Sequence, residues 1–451
     1  MNLPETFVNR TINLMGDEFR ELEKALEGVP PTSIRVNSKM DYRPSDDKVA
    51  WCNTGYYLKN RPLFTADPLF HAGVYYVQEA SSMFLYQAII QHFPNARTVL
   101  DLCAAPGGKS TLLTQTLTDS SLLVSNEIVR SRAYILAENL IKWGNPNIIV
   151  TNNDPKDFEA LPGFFDAVVV DAPCSGEGMF RKDPGAILEW SEYNVTLCAA
   201  RQKEILRSMW GTLKTDGILV YSTCTFNREE NEDNVKWICE ELGAEILSID
   251  LKGNQDIRVS DVGYRFYPHK TKGEGFFLSV LRKKSIPTSS YKSKRDDKKN
   301  IKFVTKSNVS TFSLLNPECW TIIQEDNQIK GYNAERFNDF MLVNKSLKIM
   351  HSGLYLGEMK GNDFIPSSSI AFSKTLNLKN LETVEVDYRT AISFLKKEAI
   401  FLPDSSRGYI LICYKGKPLG WVKNLINRTN NLYPQEWRIR MKIECGDVVM
   451  G

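Results

Sequence analysis

The sequence lacks the patterns that mark several common classes of protein. Its nine cysteines include no C-x-x-C pair, which argues against a zinc framework and against a small disulfide scaffold. No apolar run approaches the roughly 18 residues that a membrane-spanning helix needs. The start, MNLPETFVNR, has neither an apolar signal segment nor an Arg-rich transit pattern. We therefore expect no metal, no membrane contact and a reducing, cytoplasmic compartment.

An excess of charge of one sign is also missing. The chain has 56 Lys and Arg against 54 Asp and Glu, a net charge of +2. A nucleic-acid partner would therefore have to be met by local basic patches rather than by a uniformly cationic surface. With 451 residues, 42% of them hydrophobic, the chain is too long for one ordinary core and is predicted to form several domains.

The hydrophobic pattern changes along the chain. Residues 5–27 have apolar side chains at helical spacing, and Gly28 marks the end of the predicted helix. A short strand is predicted near 34–37. From Thr98 to about Arg282, apolar runs alternate with helical stretches, which predicts a mostly parallel sheet flanked by helices. The predicted strands are TVLDL, SLLVSNE, NIIVTNND, FDAVVVDA, GILVYST and GFFLSVL.

The region after the predicted sheet is basic and then globular again. Between Arg282 and Lys306 there are ten Lys or Arg and two acidic residues, which predicts a solvated linker or, alternatively, a strap that contacts RNA. Residues 384–451 mix aromatic and basic side chains, which can stack bases and hold phosphates, although aromatics at strand spacing also form cores. They are Tyr409, Tyr414, Trp421, Tyr433 and Trp437 among Lys415, Lys417, Lys423, Arg428, Arg438 and Arg440.

The sharpest local motif is DLCAAPGGKS, residues 101–110, between a predicted strand and a predicted helix. A strand, a turn of small residues and a helix form a nucleotide site, because ligands bind where the carboxyl ends of parallel strands meet helix N-termini. Neither G-x-G-x-x-G nor G-x-x-x-x-G-K-[ST] is present, so NAD and ATP are disfavoured. The predicted loop consists of Cys103, Ala104, Ala105, Pro106, Gly107, Gly108 and Lys109.

Three acidic residues follow at successive strand ends: Glu127, Asp154 and Asp171. An acid at the end of the second strand can accept hydrogen bonds from ribose hydroxyls. Together the three carboxylates would complement a ligand with a sulfonium and an amino group. Each acid alone could equally be a helix cap or a turn residue. As a set after this loop, they favour an adenosine ligand that has no phosphate.

Two cysteines are expected at the same edge of the sheet. Cys174 lies in DAPCSGEG and Cys224 in YSTCTF, each just past a predicted strand, where such sheets place reacting groups. A reactive thiol has to ionise near neutral pH, and a nearby cation favours this. Lys109 is the candidate cation, with exposure to solvent as the alternative. The residues alone leave open which cysteine is the nucleophile.

The combination of DLCAAPGGKS, DAPCSGEG and YSTCTF resembles the Sun/Nop family of RNA cytosine-5 methyltransferases. QEASSM at 78–83 and GEGFF at 273–277 extend the resemblance over about residues 1–283. It implies a Rossmann-like α/β methyltransferase core that binds S-adenosylmethionine through Cys103–Lys109, Glu127, Asp154 and Asp171. It also implies Cys224 as the covalent nucleophile and Cys174 as the residue that assists product release. Asp171 could in addition contact the target base.

The length and the tail resemble the bacterial RsmF-type members, which modify small-subunit ribosomal RNA and have a C-terminal PUA-like module. The expected organisation is an N-terminal α+β RNA-binding-like domain at 1–95, the catalytic domain at 96–283, the basic linker at 284–306, an intermediate domain at 307–382 and a PUA-like domain at 383–451. The expected partner of this monomer is 16S ribosomal RNA or the assembled 30S subunit.

Three alternatives stay open at this point. A transfer RNA could be the substrate, or the chain could be a non-catalytic ribosome-assembly factor with the same fold. A DNA cytosine methyltransferase would use the Pro-Cys cysteine, Cys174, as its nucleophile, and the YSTCTF motif argues against this. The presence of Cys174, Cys224 and Asp171 argues against the non-catalytic alternative.

Overall fold

The structure, a computed structural model, describes residues 1–44, 46–284, 302–303, 315, 319–361, 363–378 and 381–443. The N-terminal part combines helices with a three-stranded antiparallel sheet in the order β2-β1-β3. Its elements are α1 Glu5–Met15, α2 Phe19–Leu26, β1 Thr32–Val36, β2 Gly55–Leu58, α3 Pro68–His71, β3 Tyr75–Val77 and α4 Leu85–His92.

The prediction of one continuous helix over residues 5–27 is wrong. The helix breaks at Gly16, whose φ of 63° lies in the left-handed region that favours glycine. A short 3₁₀ turn, Gly16–Glu18, then leads into α2. The apolar side chains of both helices pack into one small core with Phe180, Trp190 and Tyr267. The N-terminus is thereby fixed against the catalytic part of the chain.

The central part is an α/β unit around a large sheet. Five neighbouring strands, in the order β8-β7-β4-β5-β6, are parallel, and β12 joins β8 antiparallel. The six predicted strands are confirmed, and five of them are parallel, but the complete ten-stranded sheet is mixed because its remaining strands pair antiparallel. The elements are β4 Thr98–Asp101, α5 Gly108–Thr116, β5 Leu122–Asn126, α6 Arg130–Trp143, β6 Ile148–Thr151, β7 Phe165–Asp171, α7 Pro184–Glu189, α8 Glu192–Trp210, β8 Leu213–Thr223, α9 Glu232–Glu241, β9 Ala244–Leu247, β10 Arg258–Ser260, β11 Gly263–Phe266 and β12 Phe276–Lys283.

The parallel strands are almost entirely buried, which explains why they appear as continuous apolar runs in the sequence. Helices pack on both faces and form two separate hydrophobic clusters. Among the described residues, no helix has both the length and the apolar character to cross a bilayer.

The C-terminal part forms two further sheets, in the orders β13-β14-β15-β17-β18 and β19-β20-β21-β22. Its elements are β13 Lys302–Phe303, β14 Trp320–Glu325, β15 Gln328–Asn333, α10 Phe337–Ser346, β16 Ile349–Ser352, β17 Leu354–Lys360, β18 Asp363–Pro366, α11 Ser368–Phe372, β19 Thr383–Glu385, α12 Tyr388–Leu395, β20 Gly408–Tyr414, β21 Lys417–Asn424 and β22 Thr429–Asn431. The predicted basic linker lies outside the described residues apart from Lys284 and Lys302–Phe303.

One strand crosses the expected division between domains. β16, which follows the basic segment, pairs antiparallel with β6 and forms the edge of the catalytic sheet. The last C-terminal module packs α12 and β20 against the N-terminal sheet in a shared hydrophobic cluster. The N-terminal, catalytic and C-terminal parts therefore share cores and a sheet.

The aromatic residues of the tail divide between core and surface. Trp421 and Tyr433 are buried at 1% and 0% exposure, so these two belong to the core. Tyr409, Tyr414 and Trp437 are half-buried. The Lys423 ammonium lies 4.9 Å from the ring centre of Tyr409 and is paired with a carboxylate. Of the six basic residues predicted to contact RNA, four are exposed: Lys415, Arg428, Arg438 and Arg440.

Candidate active site

The predicted cofactor loop and Asp171 meet at the switch point of the sheet. β4 and β7 are neighbours there. After β4 the chain continues to β5 on one side of this pair, and after β7 it continues to β8 on the other side. Asp101 ends β4 and Asp171 ends β7. Open parallel sheets bind their ligands in the crevice at this point. The topology therefore brings the two sequence motifs to the edge where a ligand is expected.

The backbone of the loop is held by hydrogen bonds from α6. Arg132 Nη2 donates to the carbonyl of Ala105 at 2.9 Å, and Asn139 Nδ2 donates to the carbonyl of Pro106 at 2.8 Å. The turn into α5 needs Gly107, whose φ is 115°. These contacts fix the loop beside a cavity of about 210 Å³. The cavity is lined by Tyr76, Val77, Gln78, Glu79, Ser82, Cys103, Ala104, Ala105, Pro106, Gly108, Lys109 and Asp171.

Glu127 and Asp154 lie near the ends of the next two strands, as predicted. Glu127 is 4% exposed, accepts a hydrogen bond from the Val129 amide at 2.9 Å and lies 3.5 Å from Arg132. Asp154 caps a 3₁₀ helix by accepting from the Lys156 amide at 3.1 Å. The capping role that the sequence left open is thus present for Asp154. Neither residue lines the cavity, whereas Asp171 does.

Asp101 is a site residue that the sequence reasoning missed. It is fully buried, and its Oδ2 accepts a hydrogen bond from the Ser110 hydroxyl at 2.6 Å. Its Oδ1 has no hydrogen-bond partner among the described residues. Burial raises the pKa of Asp101 to about 7, although Ser110 and the charge of Lys109 act in the opposite direction. The only signal in the sequence was its place at the start of the loop motif.

We expect Asp101→Asn to stabilise the ligand-free protein at pH 8 and to have little effect near pH 4. Folded Asp101 keeps its proton up to about pH 7, whereas an unfolded aspartate loses it near pH 4. The folded wild type therefore loses stability as the pH rises from about 4 to about 7. A difference of about three pKa units corresponds to roughly 4 kcal/mol in the free energy of unfolding.

Urea unfolding at pH 5, 6, 7 and 8 measures this difference. Asp404→Asn, at an exposed position, is the matched control and should change little with pH. A stability difference between wild type and Asp101→Asn that is the same at every pH would contradict the assignment of a buried, proton-retaining Asp101.

Lys109 points into the site and not into solvent. Its Nζ pairs with Asp171 Oδ2 at 2.6 Å and lies 5.2 Å from the ring centre of Phe276. Asp171 Oδ1 accepts from the Ser222 hydroxyl at 2.8 Å. Burial lowers the pKa of Lys109, but the negative charges of Asp171, Asp101 and Cys224 together raise it above its ordinary value. Lys109 is therefore a largely buried cation whose charge interacts with those of Asp171 and Cys224.

Cys174 and Cys224 are adjacent although they are far apart in sequence. Their sulfur atoms lie 2.9 Å apart, and the Cys224 amide donates to Cys174 Sγ at 3.4 Å. Both side chains are half-buried, and both cysteines are free. The hydrogen bond to Cys224 and burial raise the pKa of Cys174 well above its ordinary value. The arrangement favours a protonated thiol at Cys174, next to the Cys224 sulfur, which has Lys109 as its nearby cation.

Two buried glutamates near the cysteines were also missed from the sequence. Glu177 lies inside the DAPCSGEG motif, where its presence was visible but not interpreted. Glu230 lies six residues after Cys224, where no local pattern marks it. Their exposures are 2% and 0%.

The site fits a positively charged adenosine ligand. The small residues of the loop leave its backbone accessible, and the buried Asp101 Oδ1 can accept a hydrogen bond from an ammonium group. Carboxylates at strand ends and the absence of both phosphate-loop patterns from the sequence suit S-adenosylmethionine, which has a sulfonium and an amino group but no phosphate.

Family models match three separate stretches of the chain. Residues 88–282 match the family described as 16S rRNA methyltransferase RsmB/F. Residues 3–80 match the N-terminal domain of 16S rRNA methyltransferase RsmF, and residues 381–439 match the methyltransferase RsmF PUA domain. These three matches correspond to the N-terminal sheet and helices, the α/β unit and the last C-terminal sheet.

Curated relatives and solved structures are also similar. The ribosomal RNA small subunit methyltransferase F of Pectobacterium carotovorum is 30% identical over 472 residues, which covers 96% of each chain. The protein of the same name from Vibrio vulnificus is 31% identical and covers 86% of this chain and 84% of its own. A methyltransferase homolog protein from Pyrococcus horikoshii matches with a TM-score of 0.55 and 26% identity over 62% of this chain and 95% of its own. NSun6 from the same organism, crystallised with SFG, shares the fold at 19% identity and a TM-score of 0.51 over 63% of this chain and 99% of its own.

The Rossmann-like fold, the loop at the switch point and these matches define an S-adenosylmethionine-dependent RNA methyltransferase. The N-terminal and PUA matches place it more narrowly. The chain belongs to the RsmB/F family of 16S rRNA methyltransferases, and its domain matches are those of the RsmF type.

Proposed function

We propose that the protein methylates carbon 5 of a cytosine in 16S ribosomal RNA, with Cys224 as a covalent nucleophile and Cys174 as the residue that assists release. The observation that carries the proposal is the pair of sulfur atoms 2.9 Å apart beside the Lys109–Asp171 ion pair. The names of the curated relatives support a ribosomal RNA substrate.

The methyl donor is proposed to be S-adenosylmethionine, held by the loop from Cys103 to Lys109, by Asp101 and by Glu127, Asp154 and Asp171. When bound, it supplies an electrophilic methyl group. The carboxylate of Glu127 accepts hydrogen bonds from hydroxyl groups, and the backbone of the loop allows close approach because its residues are small. Lys109 pairs with Asp171 and thereby orients the Asp171 carboxylate at the edge of the cavity.

The role of Cys224 follows from the electronic structure of cytosine. Carbon 5 is a weak nucleophile until a thiolate adds to carbon 6, which moves an electron pair of the ring toward carbon 5. The Cys224 sulfur needs to be ionised for this addition, and Lys109, whose charge interacts with that of Cys224, is the proposed nearby cation. Asp171, which lines the cavity, is proposed to accept a hydrogen bond from the cytosine edge.

The role of Cys174 follows from its distance to Cys224. After methylation, the proton on carbon 5 leaves to a general base, and the electrons of that C–H bond re-form the ring double bond. As this double bond forms, the bond between carbon 6 and Cys224 Sγ breaks, and its electron pair stays on the sulfur. The thiol of Cys174, 2.9 Å away, donates a hydrogen bond to the departing thiolate and lowers the barrier to its release.

A basic groove beside the cavity supports the RNA partner. The groove has a volume of about 570 Å³ and includes Lys59, Arg61 and Lys272, whose side chains are exposed. Gly273 forms part of its wall, and Glu79 on the other side of that wall lines the cavity. Exposed cations along a groove that borders the cavity suit the phosphates of a single-stranded segment.

We expect the double variant Lys59→Ala/Arg61→Ala to raise the KM for RNA about tenfold with kcat little changed. Removal of two phosphate contacts should reduce the slope of log affinity against log salt by about 1.5 to 2. Filter binding of an RNA fragment at several salt concentrations measures the slope. Lys156→Ala/Lys236→Ala, two exposed lysines of the catalytic part that do not line the groove, is the control, and an equal loss in that variant would contradict a specific role of the groove.

Mapping of 5-methylcytosine in ribosomal RNA tests the proposed function directly. Bisulfite or mass mapping of RNA from cells with and without the protein should show one or more 16S cytosines that lose the modification. The purified enzyme should restore it on 30S subunits or on free 16S RNA. A modified transfer RNA with unmodified 16S RNA would favour the transfer RNA alternative. No change in any RNA, together with no binding of millimolar S-adenosylmethionine in calorimetry, would favour the non-catalytic alternative.

We also propose that the domain limits predicted from the sequence mark functional modules, although these modules contact one another. The segment 1–95 and the segment 383–451 would bind RNA, and 96–283 would perform the chemistry. The matched ranges 3–80, 88–282 and 381–439 support these divisions.

A further inference from the structure

Each of the two cysteine loops is hydrogen-bonded by a buried carboxylate that belongs to the other loop or directly follows it. Glu177 belongs to the loop of Cys174, yet its Oε2 accepts hydrogen bonds from the three residues that directly follow Cys224. The donors are the Thr225 hydroxyl at 2.7 Å, the Phe226 amide at 2.8 Å and the Asn227 amide at 2.9 Å. The Trp190 indole donates to the other oxygen, Oε1, at 3.0 Å. One carboxylate of the first loop thus fixes the backbone of the second.

Glu230 makes the reverse connection. It follows the Cys224 loop, and its carboxylate accepts the amide of Ser175, the residue after Cys174, at 3.1 Å and 3.3 Å. Gln202 Nε2 donates both to Glu230 at 2.7 Å and to the carbonyl of Pro173 at 3.0 Å. The residues on both sides of Cys174 are therefore tied to Glu230, one directly and one through Gln202.

Packing alone would not require two buried carboxylates, which need hydrogen-bond donors to offset their charge. All of the donors named for Glu177 and Glu230 are neutral, and each carboxylate is more than nine-tenths buried. A charged group in such a place is costly unless every lone pair is satisfied. Burial raises the pKa of Glu230, and the hydrogen bonds from Ser175, Asn227 and Gln202 oppose this rise. The negative charge of Glu230 also helps to keep Cys174 protonated.

We propose that Glu177 and Glu230 are positioning residues that act on different steps of the reaction. The proposal rests on the proposed function of the two cysteines. Glu177 holds the Cys224 loop and so supports formation of the covalent bond to carbon 6. Glu230 holds the Cys174 loop and keeps its thiol as the hydrogen-bond donor, so it supports release. The two carboxylates together set the short distance between the sulfur atoms, on which the rate of release depends.

The variants Glu177→Gln and Glu230→Gln should have opposite effects on the covalent adduct. In Glu177→Gln, adduct formation should slow by about 10- to 100-fold, since displacement of a reacting group by an ångström has an effect of this size. In Glu230→Gln, the adduct should form at nearly the normal rate and then accumulate, because release slows by a similar factor. Denaturing gels of stoichiometric RNA complexes, sampled over time, measure both rates.

Several controls separate positioning from general destabilisation. Glu229→Gln changes the half-buried neighbour of Glu230, whose carboxylate pairs with Arg10 and, among the described residues, has no hydrogen bond to either cysteine loop, and should leave both rates within about twofold of wild type. The double variant Cys174→Ala/Glu230→Gln should release no more slowly than Cys174→Ala alone, because both changes remove the same contribution. If Glu230→Gln does not fold, Gln202→Leu loosens the same loop and should also accumulate adduct.

The proposal is overturned if both glutamine variants slow adduct formation equally, or if Glu230→Gln releases RNA at the normal rate. Additive effects in the double variant would overturn it as well. Failure of the proposed function has a different signature. In that case Cys174→Ala itself forms no adduct, or wild type transfers no methyl group to RNA cytosine.

Discussion

Replacement of Cys224 by alanine should abolish methyl transfer, with a loss of at least roughly 1,000-fold. An alanine methyl group at this position cannot add to carbon 6, so the ring is never activated at carbon 5. Cofactor binding should persist, because among the described residues the Cys224 sulfur is hydrogen-bonded to Cys174 and not to the cofactor loop or Asp171. Transfer of labelled methyl groups to 16S RNA gives the rate, and calorimetry gives the affinity for S-adenosylmethionine.

The control for this variant is Cys239→Ala, which removes a thiol from α9 and not from the sulfur pair. It should methylate at the wild-type rate. Methylation by Cys224→Ala at an undiminished rate would show that our assignment of the nucleophile is wrong, and a simultaneous loss in Cys174→Ala without an adduct would favour Cys174 as the nucleophile.

In Cys174→Ala, the first half of the reaction should continue and the second should slow by about 100-fold, within the range for loss of a positioned proton donor. The Cys224 thiolate still has its cation in Lys109, so it can add to the base. The departing sulfur then lacks the thiol that lay 2.9 Å away. The expected result is a protein–RNA species that survives denaturation and migrates slowly in a gel.

Two further variants define this species. Cys174→Ala/Cys224→Ala should form no adduct, because it has no nucleophile. Cys174→Ser, which retains a hydroxyl donor, should release faster than Cys174→Ala if hydrogen bonding to the leaving sulfur is the cause. A clean gel for Cys174→Ala, with methylation at the normal rate, would contradict the release role.

The parallel core was predictable from the sequence because burial on both faces makes each strand an apolar run. β4, β5, β6, β7 and β8 all have this pattern. The strand pairings at the edges of the sheet were less predictable. Nothing local shows that β16 pairs with β6, since that contact joins segments on opposite sides of the basic linker. The break at Gly16 was missed because the apolar spacing on either side of it continues in helical register.

The site residues also fall into two groups: those that a local sequence motif marks, and those that depend on contacts with distant parts of the chain. The loop from Cys103 to Lys109 and the two cysteine motifs are contiguous in sequence, so residue type and position relative to a strand were enough to select them. Asp101 and Glu230 depend on burial and on partners distant in sequence. The roles given to Glu127 and Asp154 stay predictions, and Asp154 also serves as a cap.

The pairing of β16 with β6 has a consequence for how the protein is made. During synthesis, β6 emerges long before β16, and at 5–20 residues per second the interval is roughly 10 to 40 s. Throughout that time the strand IIVT, which pairs with β5 on one side, has an open edge on its other side, and such an edge is a template for association with other chains. We therefore expect β16 to complete the catalytic sheet independently of RNA, so that a chain that ends at residue 283 should sediment as aggregate more than the full chain when both are translated in vitro.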